Sequence, residues 1–294
     1  MVLVLAMLAL VAWIYLKGQD SKTLNANSSA ILMEYLDEHD TDLDIELTSD
    51  GPYELDPFEI EGRSVKLRAA EGKVPVLHLE MPLGEAAITC IDGRFELVGI
   101  HIGELESEDE DMELDDESDF GEEAVICCVN STFTLTDCVV ECQSRRCLEI
   151  IQSSGRIMES TLETEFQVIA FEPAPANELV IHASVLRGEA GIALGEATVG
   201  NLSLTETAFE CDFAVELPYE PESTARISIS ANNNRFDCEE AALAVYGFAP
   251  QELGTISSSE LPFSWQGINN EMPDTSILLF SADEQQQAPR ALPE

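Results

Sequence analysis

Past residue 40 the chain is written in short runs in which every second position is apolar. One apolar-x-apolar pair recurs as Ile88/Cys90, Ile126/Cys128, Leu148/Ile150, Ile169/Phe171, Ile192/Leu194, Val215/Leu217 and Leu243/Val245. The first members of successive pairs lie 38, 22, 21, 23, 23 and 28 residues apart. A second track keeps step with the first: Phe95/Leu97, Phe133/Leu135, Leu179/Ile181, Leu202/Leu204 and Ile227/Ile229, with Gly155 at a core position before Ile157. A third follows at Ile102, Val140, Leu162, Leu186, Phe209 and Phe236. It lies five positions behind the second in every coil but the last, where the gap is seven. The two additional residues predict a bulge around Asn232, Asn233 and Asn234.

Alternation with period two is that of a strand with one buried face. The runs are rich in Ile, Val, Leu, Phe and Thr, and they end in turn residues such as Asp92-Gly93, Asn130-Ser131, Ser153-Ser154-Gly155 and Pro173-Ala174-Pro175. A period just above twenty residues marks a solenoid, whose units bury their apolar faces only by stacking. Three short strands per coil, with no crossover helix, predict an all-β chain. Its expected form is a parallel β-helix of about seven to eight coils, each strand pairing with its equivalent in the next coil. A leucine-rich repeat would need a fixed Leu and Asn or Cys consensus that is missing here. A β-sandwich would not keep three tracks in step.

The repeat also sets boundaries. The β-helix is expected over 58–248, preceded by a cap over 31–57 in which ILMEYL makes a helical turn or two. A closing segment and polar tail follow over 249–294. Such caps shield the open ends of stacked sheets. Residues 1–16 contain no charge and no strong helix breaker. As a helix they span about 24 Å, against a hydrocarbon core of about 30 Å. With no basic flank ahead and no cleavage site before Lys17, they predict a transmembrane helix beginning upstream of Met1, rather than a signal peptide. Residues 17–30 read as a flexible tether. On this reading the chain is a single-pass membrane protein with its β-helix on the extracytoplasmic side.

Charge narrows the partners. Fourteen Lys and Arg stand against 57 Asp and Glu, a net charge of −43. Nucleic acid and anionic membrane surfaces are thereby excluded as direct partners, because their phosphates are repelled. The acid is concentrated between Glu104 and Glu123, where 13 of 20 residues are carboxylates. This block explains the 38-residue interval as a normal coil interrupted by an acidic insertion loop over 104–123, extended by its own repulsion. Within it Asp109, Asp111, Asp115, Asp116 and Asp119 are hard oxygen donors, a weak calcium candidate. No D-x-[DN]-x-[DN]-G loop or Gly-rich nonapeptide shapes them into a site. Asp119-Phe120-Gly121 spells the metal-binding tripeptide of protein kinases, without any other part of the kinase signature.

No catalytic residue or cofactor emerges. Glycoside hydrolysis needs two carboxylates flanking the bond, and an anionic sugar would need grouped cations. Arg145, Arg146, Arg156, Arg187, Arg226 and Arg235 are scattered instead across track positions. His78, His101 and His182 lie in strand contexts and His39 in an acidic helix-like stretch, none beside a Ser or Cys nucleophile. Cys90 and Cys128 are core residues of the first track, while Cys211 and Cys238 stack on adjacent coils about 4.8 Å apart. Free buried thiols are the expectation. Cys142 and Cys147 lack the second pair a zinc site needs. Asn27, Asn130 and Asn201 begin glycosylation sequons.

Three segments carry a resemblance: Asp50-Gly51-Pro52-Tyr53-Glu54-Leu55, then Phe58-Glu59-Ile60-Glu61-Gly62, then the run from Val65 to Leu77. With Trp265-Gln266-Gly267-Ile268-Asn269-Asn270 at the far end, they resemble a bacterial family of membrane-anchored, right-handed parallel β-helix domains with the pectate-lyase-like fold. Such domains are found after Ser/Thr protein kinase modules. The resemblance covers about residues 45–270 and rests on turns, glycines and core positions. It implies a right-handed solenoid and a non-catalytic binding or scaffold module for a glycan or protein ligand, the sensor portion of a receptor-like kinase. The alternative is a carbohydrate-active lyase or hydrolase. The acidic insertion departs from the family pattern, and no residue of this chain carries kinase chemistry.

Overall fold

The computed structural model describes residues 23–82, 84–104, 123–143, 145–195, 199–219, 226–253, 255–257, 260–282 and 286–292. Over these residues the chain winds into two curled sheets, of ten and fifteen strands. Pairing is parallel from each coil to the next, save for the final strand Gln287–Arg290, which runs antiparallel to Ile277–Ser281. This is the arrangement expected of a β-helix.

Two of the three tracks fall into the expected register. Ile88 pairs with Ile126 and Cys90 with Cys128, and these columns continue through Leu148/Ile150 and Ile169/Phe171 to Ile192, Val215 and Leu243. The third-track column runs Ile102, Val140, Leu162, Leu186, Phe209, Phe236. All these side chains are buried.

The second track needs a correction. Leu202 pairs with Ile229 and Leu204 with Ala231, so the last pair is Ile229/Ala231 rather than Ile227/Ile229. Phe236 then follows at the usual five positions, and no bulge is needed at Asn232–Asn234. A slip of two residues preserves the buried face, and a lone methyl at Ala231, fully buried, gives little apolar signal. Register shifts lie elsewhere, between Cys211 and Phe213 opposite Cys238 and Ala241, and between Val245 and Phe248 opposite Leu279 and Ser281.

The ladders also reach beyond 58–248. Strands Leu24–Ala26 and Leu43–Leu47 open the ten-stranded sheet, inside the stretches read as tether and cap. Tyr53–Leu55 begins the other sheet, and Phe263–Ile268 and Ile277–Ser281 extend both sheets into the closing segment. Strands of three residues offer too few alternations to be recognised alone. The helix Ser29–Glu38 lies between the first two strands and buries Leu32 and Leu36. Its end is held by Arg63, whose Nη2 donates to the Leu36 carbonyl at 2.7 Å. The expected transmembrane segment lies outside the described residues, and no described helix is long and apolar enough to cross a membrane.

Three tracks become two partway along. The third-track strand Thr161–Glu163 and the first-track strand Gln167–Glu172 are separate, but Val185–Leu194, Ala208–Pro218 and Arg235–Phe248 each carry both tracks in one strand. The distance between core positions falls from eight (Val140 to Leu148) through seven (Leu162 to Ile169) to six (Leu186 to Ile192). An even spacing of six, repeated from Phe209 to Val215, lets a single pleat serve both, while the spacing of seven from Phe236 to Leu243 is absorbed by the register shift opposite Cys211 and Phe213. The fused strand passes closest to its neighbour at Gly188, where a Cβ would come within 2.4 Å of the Phe166 carbonyl.

Sharp corners between the second and third tracks use one left-handed residue per coil: Gly99, Asp137, Glu159, Ala183, Glu206, Asn233 and Asn269. The N–H groups of Gly99 through Asn233 donate to a carbonyl of the following coil at 2.9–3.0 Å across the related corners, as from Asp137 to Met158 (3.0 Å) and Glu159 to His182 (3.0 Å). After Gly99 the next residue is the buried Ile100; after the other corners it is Cys138, Ser160, Ser184, Thr207, Asn234 or Asn270, which builds an internal ladder. The Cys138 N–H donates to Ser160 Oγ (3.1 Å) and the Ser160 N–H to Ser184 Oγ (3.2 Å). Further along, the Thr207 N–H donates to Asn234 Oδ1 (2.9 Å) and the Asn234 N–H to Asn270 Oδ1 (2.9 Å). At the opposite corner Ser131 and Ser153 repeat the device: the Gly93 N–H reaches Ser131 Oγ (3.1 Å) and the Ser131 N–H reaches Ser153 Oγ (2.8 Å). These side chains satisfy buried backbone groups that no strand ladder reaches.

Gly155 is where the second track breaks because Phe133 of the preceding coil lies across it. A Cβ built on Gly155 would fall 1.9 Å from Phe133 Cε1. Replacing Gly155 by Val is therefore expected to cost about 1–3 kcal/mol through overpacking. Adding Phe133→Leu should recover part of that loss, checked by urea unfolding of the single and double variants.

Candidate functional site

The sequence-derived calcium candidates Asp109, Asp111, Asp115, Asp116 and Asp119 lie outside the described residues, but both feet of the insertion are described. The strand His101–Glu104 leads into it and Ala124–Val129 follows it. At the second foot Glu123 meets Arg145, a side chain only 2% exposed, with Nη1 to Oε2 at 2.6 Å. Arg145 also donates from Nη1 to the Glu85 carbonyl (2.9 Å) and from Nη2 to the Pro82 carbonyl (2.7 Å). The other Glu123 oxygen accepts the Gly84 N–H. One arginine thus ties together three segments at this corner. Sequence reading ranked it with the scattered arginines because its partners lie up to 63 residues away.

Two more of those arginines converge. Arg187 pairs with Glu163 (3.1 Å) and Glu210 (2.6 Å), and Arg235 also pairs with Glu210 (2.8 Å). The Arg187 guanidinium holds the Glu210 carboxyl below the usual range, and Glu210 in turn raises Arg187. The row runs along four coils of the solenoid and balances its own charge.

The histidines make no nucleophile pair among the described residues. His101 Nε2 lies 3.1 Å from Glu141 Oε2, and His182 sits on the outer face of the ten-stranded sheet. All eight cysteines are free thiols. Cys211 and Cys238 are register neighbours, as are Cys90 and Cys128, whereas Cys142 and Cys147 bring their sulfurs within 3.6 Å across a turn. Burial pushes the thiols of Cys127, Cys211 and Cys238 up to about 12. The folded state therefore holds these protons more tightly than the unfolded chain does. That contribution to stability is complete below the ordinary value of 9.0 and is lost as pH climbs toward 12. The denaturation midpoint is expected to fall across this window, and to fall less in the Cys211→Ala, Cys238→Ala double variant.

The outer face of the ten-stranded sheet changes character along the solenoid. Its first coils carry a lattice of charges, with Arg68 on Asp44 (3.2 Å) and Glu46 (2.8 Å), and Lys66 and Arg94 both on Glu96. From Thr132 onward the outward positions are mainly Thr132, Thr134, Thr136, Ser154, Asn201, Ser203, Thr205, Ser228, Ser230, Asn232, Ser264 and Gln266. Arg156 and Glu178 are the charged residues among the outward positions of these six described strands. Strand spacing makes this hydroxyl- and amide-lined plane about 24 Å long. Such side chains are ordinary on a solvated strand; that Glu178 is the single carboxylate among the outward positions of these six described strands is unusual in a chain of charge −43.

The fifteen-stranded sheet bears an outer aromatic row instead. Tyr246 stacks on Phe280 with centroids 4.6 Å apart, and Phe213 meets Phe280 edge-on at 5.9 Å. Glu216 accepts from the Tyr246 hydroxyl at 2.9 Å and from Gln167 Nε2 at 3.2 Å. Beyond it an open cleft of about 430 Å³ is bordered by Asp237, Glu239, Glu240, Glu271 and Asp274, with Arg235 at its edge. Among the described residues no three His, Cys, Asp or Glu side chains converge closely enough to hold a metal ion. Compared with known proteins, the chain matches no family model, no curated protein and no solved structure.

Proposed function

We propose that the protein is a non-catalytic binding module, a right-handed β-helix of the pectate-lyase-like kind, whose docking surface is the neutral outer face of the ten-stranded sheet. The observation that supports this is the prevalence of Thr, Ser, Asn and Gln at the outward positions of strands from Thr132–Thr136 to Phe263–Ile268, interrupted at Glu178–His182, whose outward residues are Glu178, Val180 and His182. A flat, rigid array of hydroxyls and amides offers donors and acceptors at strand spacing without a concave pocket. It suits an extended, uncharged, polyhydroxylated ligand, a neutral glycan, better than a charged one. The strong negative charge elsewhere would repel anionic chains. In the membrane-anchored reading, residues 1–16 tether the module and its upstream portion is the kinase of a receptor.

The alternative, a carbohydrate-active enzyme, draws on the aromatic row and Glu216. The two readings separate in one experiment. The chain is screened against neutral and acidic polysaccharides, with product analysis, beside the triple variant Thr134→Glu, Ser203→Glu, Ser230→Glu. Binding of neutral glycans that falls at least about tenfold, or 1.4 kcal/mol, in the variant is expected. Depolymerisation, or binding unaffected by the three substitutions, would overturn the proposal.

A further inference from the structure

The geometry points to an oxidation site at the corner that holds Arg145: Cys142 and Cys147 form an intrachain disulfide when the protein meets a small-molecule disulfide. Their sulfurs already lie 3.6 Å apart, so bond formation closes the remaining gap of about 1.5 Å by side-chain rotation. The two residues stand on either side of a turn, with side chains converging. The other in-register pairs, Cys90/Cys128 and Cys211/Cys238, are neighbours on parallel strands. There the Cα–Cβ bonds run side by side about 4.8 Å apart, wider than the roughly 3.8 Å between Cβ atoms of a disulfide.

The surroundings set the order of events. Cys142 is 6% exposed and Cys147 is fully buried. Burial, then the neighbouring Cys142 thiol, push Cys147 well above the ordinary thiol range. Cys142 is therefore the first nucleophile. Its thiolate attacks one sulfur of the reagent disulfide and expels a thiolate. Cys147 then loses its proton and attacks Cys142 Sγ, expelling the second thiolate. Two protein thiols and one reagent disulfide become one protein disulfide and two reagent thiols.

The cross-link has a local consequence. In the dithiol form the Cys142 thiol donates to the Arg145 carbonyl at 3.1 Å, and Thr164 Oγ1 donates to the same oxygen at 2.5 Å. Oxidation removes the first donor and leaves Thr164 in place, while covalently closing the turn that carries the Arg145 contacts with Glu123, Glu85 and Pro82. Oxidation thereby adds a covalent tie to a corner that the Arg145 contacts already hold.

The test incubates the full chain with oxidised glutathione, without denaturant, then denatures it, alkylates the remaining thiols and digests with trypsin. Cleavage after Arg145 and Arg146 separates the two cysteines, so the disulfide appears as a linked pair of peptides that reduction splits. The Arg146 amide, bonded to the Glu123 carbonyl at 2.9 Å, is expected to exchange more slowly after oxidation. Cys142→Ser and Cys147→Ser should each abolish the linked pair. Because a variant could misfold, the linked pair from the unsubstituted chain is also sequenced by tandem mass spectrometry, which places the link at Cys142 rather than at Cys127, Cys128 or Cys138 of the same tryptic peptide. Glutathione adducts without a linked pair, a link mapped to Cys90/Cys128 or Cys211/Cys238, or a link formed only in denaturant would each overturn the inference.

Discussion

Arg145→Met is expected to destabilise the insertion corner by about 3–5 kcal/mol, the range for removing one partner of a buried ion pair. The methionine fills much of the volume but leaves Glu123 without its counter-ion and the Glu85 and Pro82 carbonyls without donors. In a chain of charge −43, no surplus of cations can move in to replace it. Solenoids unfold in sections rather than as one unit. The effect should therefore be local, with accelerated hydrogen exchange in 80–91 and 123–129 and little change beyond Ile227. The paired variant Arg145→Met, Glu123→Met should be less damaging than Arg145→Met alone, since the orphaned charge is the main cost. Equal damage in both would place the cost in the carbonyls instead.

Asn234→Leu is expected to be the most damaging single change in the C-terminal half. It orphans the Thr207 N–H, the Leu204 carbonyl (3.0 Å from Nδ2) and the Asn234 contact with Asn270 Oδ1 (3.1 Å). Each buried unsatisfied group costs about 1–3 kcal/mol, so the sum is of order 3–5 kcal/mol. Exchange of the Thr207 amide reports it directly and should accelerate about a hundredfold. Asn234→Ser should be milder, because Ser160 and Ser184 fill the same column in earlier coils. A serine variant as unstable as the leucine one would show that volume, rather than hydrogen bonding, holds the corner.

The ladder containing Asn234 marks a boundary of legibility. In the sequence Asn232–Asn234 stands out as a surplus and predicts a bulge, while in the structure it is the corner of an ordinary coil. The cause is Ala231, whose methyl supplies the buried position that a larger residue would have announced. Gly155 is the reverse case: the missing side chain was visible, but its reason, the Phe133 ring of another coil, was not. The first and third tracks were read correctly because each keeps bulky residues at every level. The candidate surface was legible only as composition. Thr134, Ser203 and Ser230 become one plane once their strands are placed in a single sheet.

The sequence by itself determined the solenoid period, two of the three core columns and the position of the acidic insertion. These follow from side chains alternating across a pleat, a local rule repeated in every coil. Only the tertiary structure decided the remaining features: the fusion of two tracks into one strand, the Ser/Thr/Asn ladder, the Arg145 clamp and the meeting of Cys142 with Cys147. Each depends on contacts between residues brought together by winding, and polar contacts of that kind leave no periodic trace along the chain.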